Sequence, residues 1–226
     1  ETQTAMVLAL NFDIVPDEFR DRLSGMLRQK LEEENVHLTT GFAGTPYLCP
    51  ALTQNGLSDY AYSLLLNEDY PSWLYEVNMG ATTVWERWNS VLPDGHISDT
   101  GMNSLNHYAY GSIVEWIYRY VCGLNPSEKE PGFKSFYVKP YPDERLGFVK
   151  MKYRSAYGLI ESGWEKTENG WKFNITVPFN TSAEFVLPEK IYMGEGNVSA
   201  TVNDVECGEL PDSGRIELAP GQYEIC

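Results

Sequence analysis

At 226 residues, with 42% apolar residues, the chain has the composition of a packed globular protein of one large or two ordinary domains. Its 32 acidic side chains against 17 Lys and Arg leave a formal net charge of −15, which excludes a protein that grips nucleic acid by neutralising phosphates. The longest apolar runs, AMVLAL and SLLL, fall far short of the ~20 residues that cross a bilayer. Nothing at the N-terminus reads as a signal peptide, so a soluble chain with no membrane partner is expected, with the compartment left open between cytoplasmic and periplasmic or secreted.

Glu1 to Val15, ETQTAMVLALNFDIV, is apolar around most of its circumference and reads as a buried helix that needs neighbours on nearly every side. A segment of that kind with no Met start is expected to have been cut from a longer protein. Pro16, Asp17 and Glu18 then open a second, amphipathic helix, with proline at the first turn and acids at the positive end of the dipole. Phe19, Leu23, Leu27 and Leu31 follow at helical spacing. NVHLTTGFAGTPYL is a loop, PALTQNGLSDYAYSLLL gives two shorter helices broken at Asn55-Gly56, and Pro71 closes that hairpin. A further helix is predicted from Asn103, as its cap, to about Cys122, with Leu105, Tyr108, Ala109, Trp116, Ile117 and Tyr120 along one side.

Beyond Gly123 the period changes. The polar, proline-bearing stretch NPSEKEPGF places a linker at 126–132, between a helical domain over 1–125 and a second domain over 133–226. In the second, Trp171, Phe173, Ile175 and Val177 alternate with Lys172, Asn174 and Thr176 directly after an Asn169-Gly170 hairpin signal, and similar short strands continue to the end. The fold class is therefore α then β, with an antiparallel β-sandwich last. Cys49, Cys122, Cys207 and Cys226 are too scattered for a disulfide framework and are expected as free, mostly buried thiols. Sequons at Asn174, Asn180 and Asn197 decide nothing.

Chemistry is concentrated in TTVWERWNSVLPDG, where Glu86 and Arg87 lie between Trp85 and Trp88. Indole faces suit the C–H face of a sugar ring while carboxylates and amides take its hydroxyls, so the company of Glu86 fits carbohydrate. An ionised carboxylate in such a site can draw a proton from water. His107, in NSLNHYAYG, reads by itself as a structural hydrogen-bonder more readily than as a ligand or base. His37, His96 and His107 form no metal-ligand spacing, GFAGT lacks the lysine of a phosphate loop, and no G-x-S-x-G elbow occurs. No metal or cofactor is expected.

Four stretches in order, TGFAGTPYLCPAL, LLLNEDYPSWLYEV, GATTVWERWNS and MNSLNHYAYGSIVEWIYRYVCGL, resemble the C-terminal half of the catalytic domain of bacterial α-L-rhamnosidases. PGFKSFYVKPYP and YGLIESGWEKTENGWKFNITVPFNTSAEFVLP are similar to the β-sandwich that follows it in that family. The resemblance implies a partial (α/α)₆ six-hairpin barrel and an inverting hydrolysis of terminal α-L-rhamnose, with a general acid and a general base roughly 6.5–9.5 Å apart. Glu86 matches the family's general base, and His107 matches a histidine that contacts rhamnose. Trp85 and Trp88 are candidates for the sugar's aromatic wall. The family's general acid lies in an upstream D-E-R-x-G-W type motif that this chain lacks, and neither Asp69, Glu76, Asp99 nor Glu115 has spacing that marks a substitute. The expected partners are a rhamnose-containing glycoside and the missing N-terminal half, or a second copy meeting the open half barrel, and the chain alone is expected to be inactive. The rival readings are a non-catalytic carbohydrate-binding or scaffold module and another six-hairpin glycosidase.

Overall fold

The computed structural model describes residues 2–99, 101, 103–188, 199–202, 205–209 and 214–226, with backbone alone at 199–202 and 205–209. Glu1 and the sequon at Asn197 lie outside the described residues, as does the side chain of Cys207. The chain divides into two compact units, Glu1–Trp116 and Ile117–Cys226.

The first unit is helical. Helix α1 (Gln3–Asn11) starts at Thr2, whose hydroxyl accepts from the Ala5 N–H, and buries Gln3, Met6, Val7 and Leu10. It is shorter than the predicted Glu1–Val15 helix and buried on one face, with Phe12 and Ile14 exposed. The turn at Asp13, with φ of 50°, ends it, and the Arg20 guanidinium binds the Leu10 carbonyl, the Asp13 carboxylate and the Asn55 side chain there. Helix α2 (Asp17–Glu33) follows with Asp17 and Glu18 in its first turn, and buries Leu27 and Leu31. Helices α3 (Thr45–Gln54) and α4 (Ser58–Leu65) are separated where predicted, by Gly56 at a φ of 75° that favours glycine. A short helix α5 (Trp73–Asn78) has no counterpart in the sequence reading; Ser72 caps it by accepting from the Tyr75 N–H. A 3₁₀ turn (Ala109–Ser112) leads into α6 (Ile113–Trp116). Trp116 closes the core: its ring meets Tyr62 edge-on at 5.2 Å and its N–H donates to the Thr53 hydroxyl.

The predicted helix from Asn103 begins instead at Ala109. The backbone groups of Ser104, Leu105 and His107 are engaged sideways by residues 83–86, so they are unavailable to a helical ladder. Asn103 caps nothing; its side chain bonds Ser90.

The second unit opens with a π turn (Ile117–Val121) and continues as strands β1 (Leu124–Pro126), β2 (Ser135–Val138), β3 (Phe148–Ser155), β4 (Gly158–Thr167), β5 (Gly170–Val177), β6 (Ser182–Val186), β7 (Ser199–Val202), β8 (Val205–Glu209), β9 (Arg215–Leu218) and β10 (Gly221–Ile225). One sheet runs β1-β2-β6-β9 and the other β3-β4-β5-β10-β7-β8. All pairs are antiparallel except β2 with β6, which run parallel. Phe173, Ile175 and Val177 face inward, as their alternation requires, and Phe173 meets Phe185 of the other sheet at 5.3 Å. Trp164 and Ser162 donate to the Val121 and Cys122 carbonyls, tying the π turn to β4. Cys49 and Cys122 are buried free thiols and Cys226 is an exposed one; burial pushes Cys122 up to about 12 and Cys49 higher still.

Candidate active site

The segments carrying W-E-R-W and N-S-L-N-H are separate in sequence, and their backbones are laced together. The Glu86 N–H donates to the Ser104 carbonyl at 2.9 Å, and the Ser104 N–H returns a bond to Glu86 Oε2 at 2.8 Å. The His107 N–H donates to the Val84 carbonyl at 2.8 Å, and the Asn103 side-chain amide donates to the Ser90 carbonyl at 3.1 Å. Glu86 is thus half-buried with one carboxylate oxygen held by a backbone amide, a charge-assisted contact that fixes its direction. Oε1 takes no hydrogen bond from the described residues. His107 is half-buried, its Nδ1 accepts from the Ala109 N–H at 3.3 Å, and its ring stacks on exposed Tyr108 at 5.0 Å. That bond leaves Nε2 as the ring's donor.

Both tryptophans are buried. Trp88 lies flat on Tyr110, with centroids 3.8 Å apart and planes 5° apart, and meets Trp73 edge-on at 5.3 Å. Its N–H donates to the Thr40 carbonyl, and the Trp73 N–H to that of Tyr110. Through Trp88 this cluster packs the Glu86 loop into the buried interior of the helical unit. Trp85 is 4% exposed, and its backbone N–H points to Glu76 Oε2 at 3.3 Å. Arg87 turns away from Glu86 and donates to the Gly101 carbonyl.

Glu76, on α5, has no counterpart in the site predicted from sequence. It is 4% exposed, Oε1 is buried without a hydrogen-bond partner among the described residues, and burial pushes its carboxyl up to about 7 against the smaller opposing pull of the Trp85 N–H. The apolar run W-L-Y-E-V around it is the one signal that could have drawn attention to it. A groove of about 440 Å³ crosses β3, β4 and β5 in the other unit. Its lysines and acids include Lys152 and Glu161, paired at 2.7 Å, and Lys172, paired with Glu224 at 2.7 Å, which is the behaviour of a solvated sheet face.

The helical unit thus carries a half-buried carboxylate on a loop whose Trp88 belongs to a buried aromatic cluster, and a β-sandwich follows it. Residues 1–121 match the family model of the bacterial α-L-rhamnosidase six-hairpin glycosidase domain, and residues 123–201 match that of the bacterial α-L-rhamnosidase C-terminal domain. The chain belongs to the bacterial α-L-rhamnosidase family. It is 45% identical over 188 residues to an α-L-rhamnosidase of Alteromonas sp. (strain LOR), covering 83% of this chain and 20% of that one. Among solved structures it resembles Streptomyces avermitilis α-L-rhamnosidase complexed with L-rhamnose, with a TM-score of 0.87 and 35% identity over 99% of this chain and 21% of that one. It likewise resembles the α-L-rhamnosidase from Dictyoglumus thermophilum, with a TM-score of 0.86 and 30% identity over 100% of this chain and 25% of that one. The chain spans 18–20% of the length of the curated relatives it matches.

Proposed function

We propose that this chain is part of an inverting α-L-rhamnosidase and that Glu86 is its general base. The observation that carries the reading is the clasp between Glu86 and Ser104, which holds one carboxylate oxygen and leaves the other without a protein hydrogen bond among the described residues. An oxygen in that state can accept the proton of a water attacking the anomeric carbon from the face opposite the leaving group. His107, tied to the same loop through Val84, contacts the rhamnose, with Nε2–H as the donor to a hydroxyl. Trp85 and Trp88 back the sugar subsite and exclude bulk water behind the carboxylate. The L-rhamnose held by the Streptomyces avermitilis relative supports this substrate class.

The general acid is assigned to an upstream half outside these residues, because the chain has no D-E-R-x-G-W type motif. In the protein that carries that half, Glu86→Gln should lower kcat on an aryl rhamnoside by about 10²–10⁴-fold, while His107→Ala mainly raises KM. L-rhamnose affinity should survive in Glu86→Gln, since the amide keeps the carboxylate's shape. A kcat loss smaller than about tenfold in Glu86→Gln would remove the base from Glu86.

A further inference from the structure

Burying a carboxyl is costly unless its oxygens are well partnered, and among the described residues Glu76 has one long bond and one oxygen without a partner. An apolar residue of similar length would fill the same space without that cost. What the carboxyl does supply is an acceptor for the Trp85 N–H, and Trp85 is the residue from which the chain runs directly into Glu86. The downstream side of Glu86 is anchored separately: the Arg87 N–H donates to the Ser90 hydroxyl, and Ser90 is bonded to Asn103. The Ser104 clasp fixes the carboxylate itself. The peptide that joins Trp85 to Glu86 is held by the Ser104 carbonyl through the Glu86 N–H, and the preceding Val84–Trp85 peptide has the His107 N–H on its carbonyl and Glu76 as its side-chain anchor.

Resting on the assignment of Glu86 as the base, we propose that Glu76 is a positioning residue that holds the Trp85 peptide and thereby aims the Glu86 carboxylate. Its acceptor oxygen is the functional feature, not its charge. Burial favours the neutral form, in which the carbonyl oxygen still accepts from the Trp85 N–H. Tyr110, from the 3₁₀ turn, is the titratable group that reaches Glu76 from the neighbouring element; its phenol is pushed up to about 12, by burial first and then by the charge of Glu76. A carboxylate at Glu76 and a phenolate at Tyr110 are therefore both disfavoured.

The test compares Glu76→Gln, Glu76→Asp and Glu76→Met, with Glu86→Gln as control, in the protein carrying the upstream half. It reads kcat and KM on an aryl rhamnoside and the Kd for L-rhamnose. Gln keeps an acceptor at the same reach, Asp keeps a carboxyl group but withdraws the acceptor by one methylene, and Met keeps the volume alone. The expected order of kcat is wild type, close to Gln within about threefold, then Asp and Met lower by about tenfold to 10²-fold, with KM and rhamnose affinity moved by less than about threefold. A role in packing alone would lower rhamnose affinity and kcat together. Asp matching or exceeding Gln, or rhamnose affinity falling in step with kcat, overturns the proposal. Should Met not fold, the order of Gln and Asp decides. Full activity in the Glu86→Gln control would overturn the base assignment itself, an outcome distinct from any at Glu76.

Discussion

A carboxyl whose ordinary value is 4.5 and which burial raises to about 7 makes Glu76 a measurable load on the helical unit. The folded state holds its proton after the unfolded chain has released it, so stability is highest below about pH 4.5 and falls as pH rises towards 7, beyond which the loss is complete. At about 1.4 kcal/mol for each pH unit separating the folded from the unfolded carboxyl, the ceiling is about 3 kcal/mol. Glu76→Gln removes the titration, so its stability relative to wild type should rise by up to that amount between about pH 5 and about pH 8. Chemical denaturation followed by far-UV circular dichroism measures this, and an unchanged difference at the two pH values would show that Glu76 is ionised freely in the fold. Glu86 stands out in the sequence as a candidate because its neighbours are indoles, which are seldom left exposed. Glu76 does not, because the role proposed for it rests on a bond to a peptide N–H nine residues away. Trp88 shows the complementary limit: its indole could be read as apolar wall, but the flat stack on Tyr110 and the bond to Thr40 depend on chain segments that only the fold brings together.

Among the elements, α2 and the break between α3 and α4 were readable because local rules decide them: proline and acids at an N-terminus, and a glycine at positive φ. The stretch 103–108 reads wrongly as helix for the opposite reason. Its apolar spacing is helical, but its backbone bonds go to the Glu86 loop, a tertiary choice that overrides periodicity. Helix α5, six residues long, is too short to show a period at all. In the β unit, the step from the π turn into β1 passes through Gly123 at a φ of 82°, where a Cβ would lie 2.3 Å from the Pro140 nitrogen and 2.4 Å from the Lys139 carbonyl carbon. Gly147, at a φ of 76°, has open space around it. Gly147→Ala should therefore cost only backbone strain, about 1 kcal/mol, whereas Gly123→Ala should cost that plus the displacement of β1 from β2, beyond about 3 kcal/mol. Urea unfolding of residues 117–226 compares them, and equal losses would contradict the close approach at Gly123.

For the whole molecule, the helical unit leaves Ile14, Phe42, Ile97 and Tyr108 exposed, while the chain spans 18–20% of its curated relatives. Where exposed apolar side chains join into a contiguous patch they mark a surface with a partner, and the proposed partner is the upstream half that brings the general acid. A second copy of the chain is the alternative cover, and light scattering on the isolated chain distinguishes self-association from a monomer. The sandwich, with its own core around Phe136, Trp164, Phe173 and Phe185, should fold whether or not that partner is present. Central to the whole account is that these residues contribute the base and lack the acid. The direct measurement is aryl-rhamnoside hydrolysis by the purified 226-residue chain alone, by the upstream half alone, and by the two mixed. The account predicts no turnover from either part, turnover from the mixture, and none from a mixture in which the chain carries Glu86→Gln. Hydrolysis by the chain alone, as a strict monomer, would contradict it by showing that both carboxyls lie within these residues.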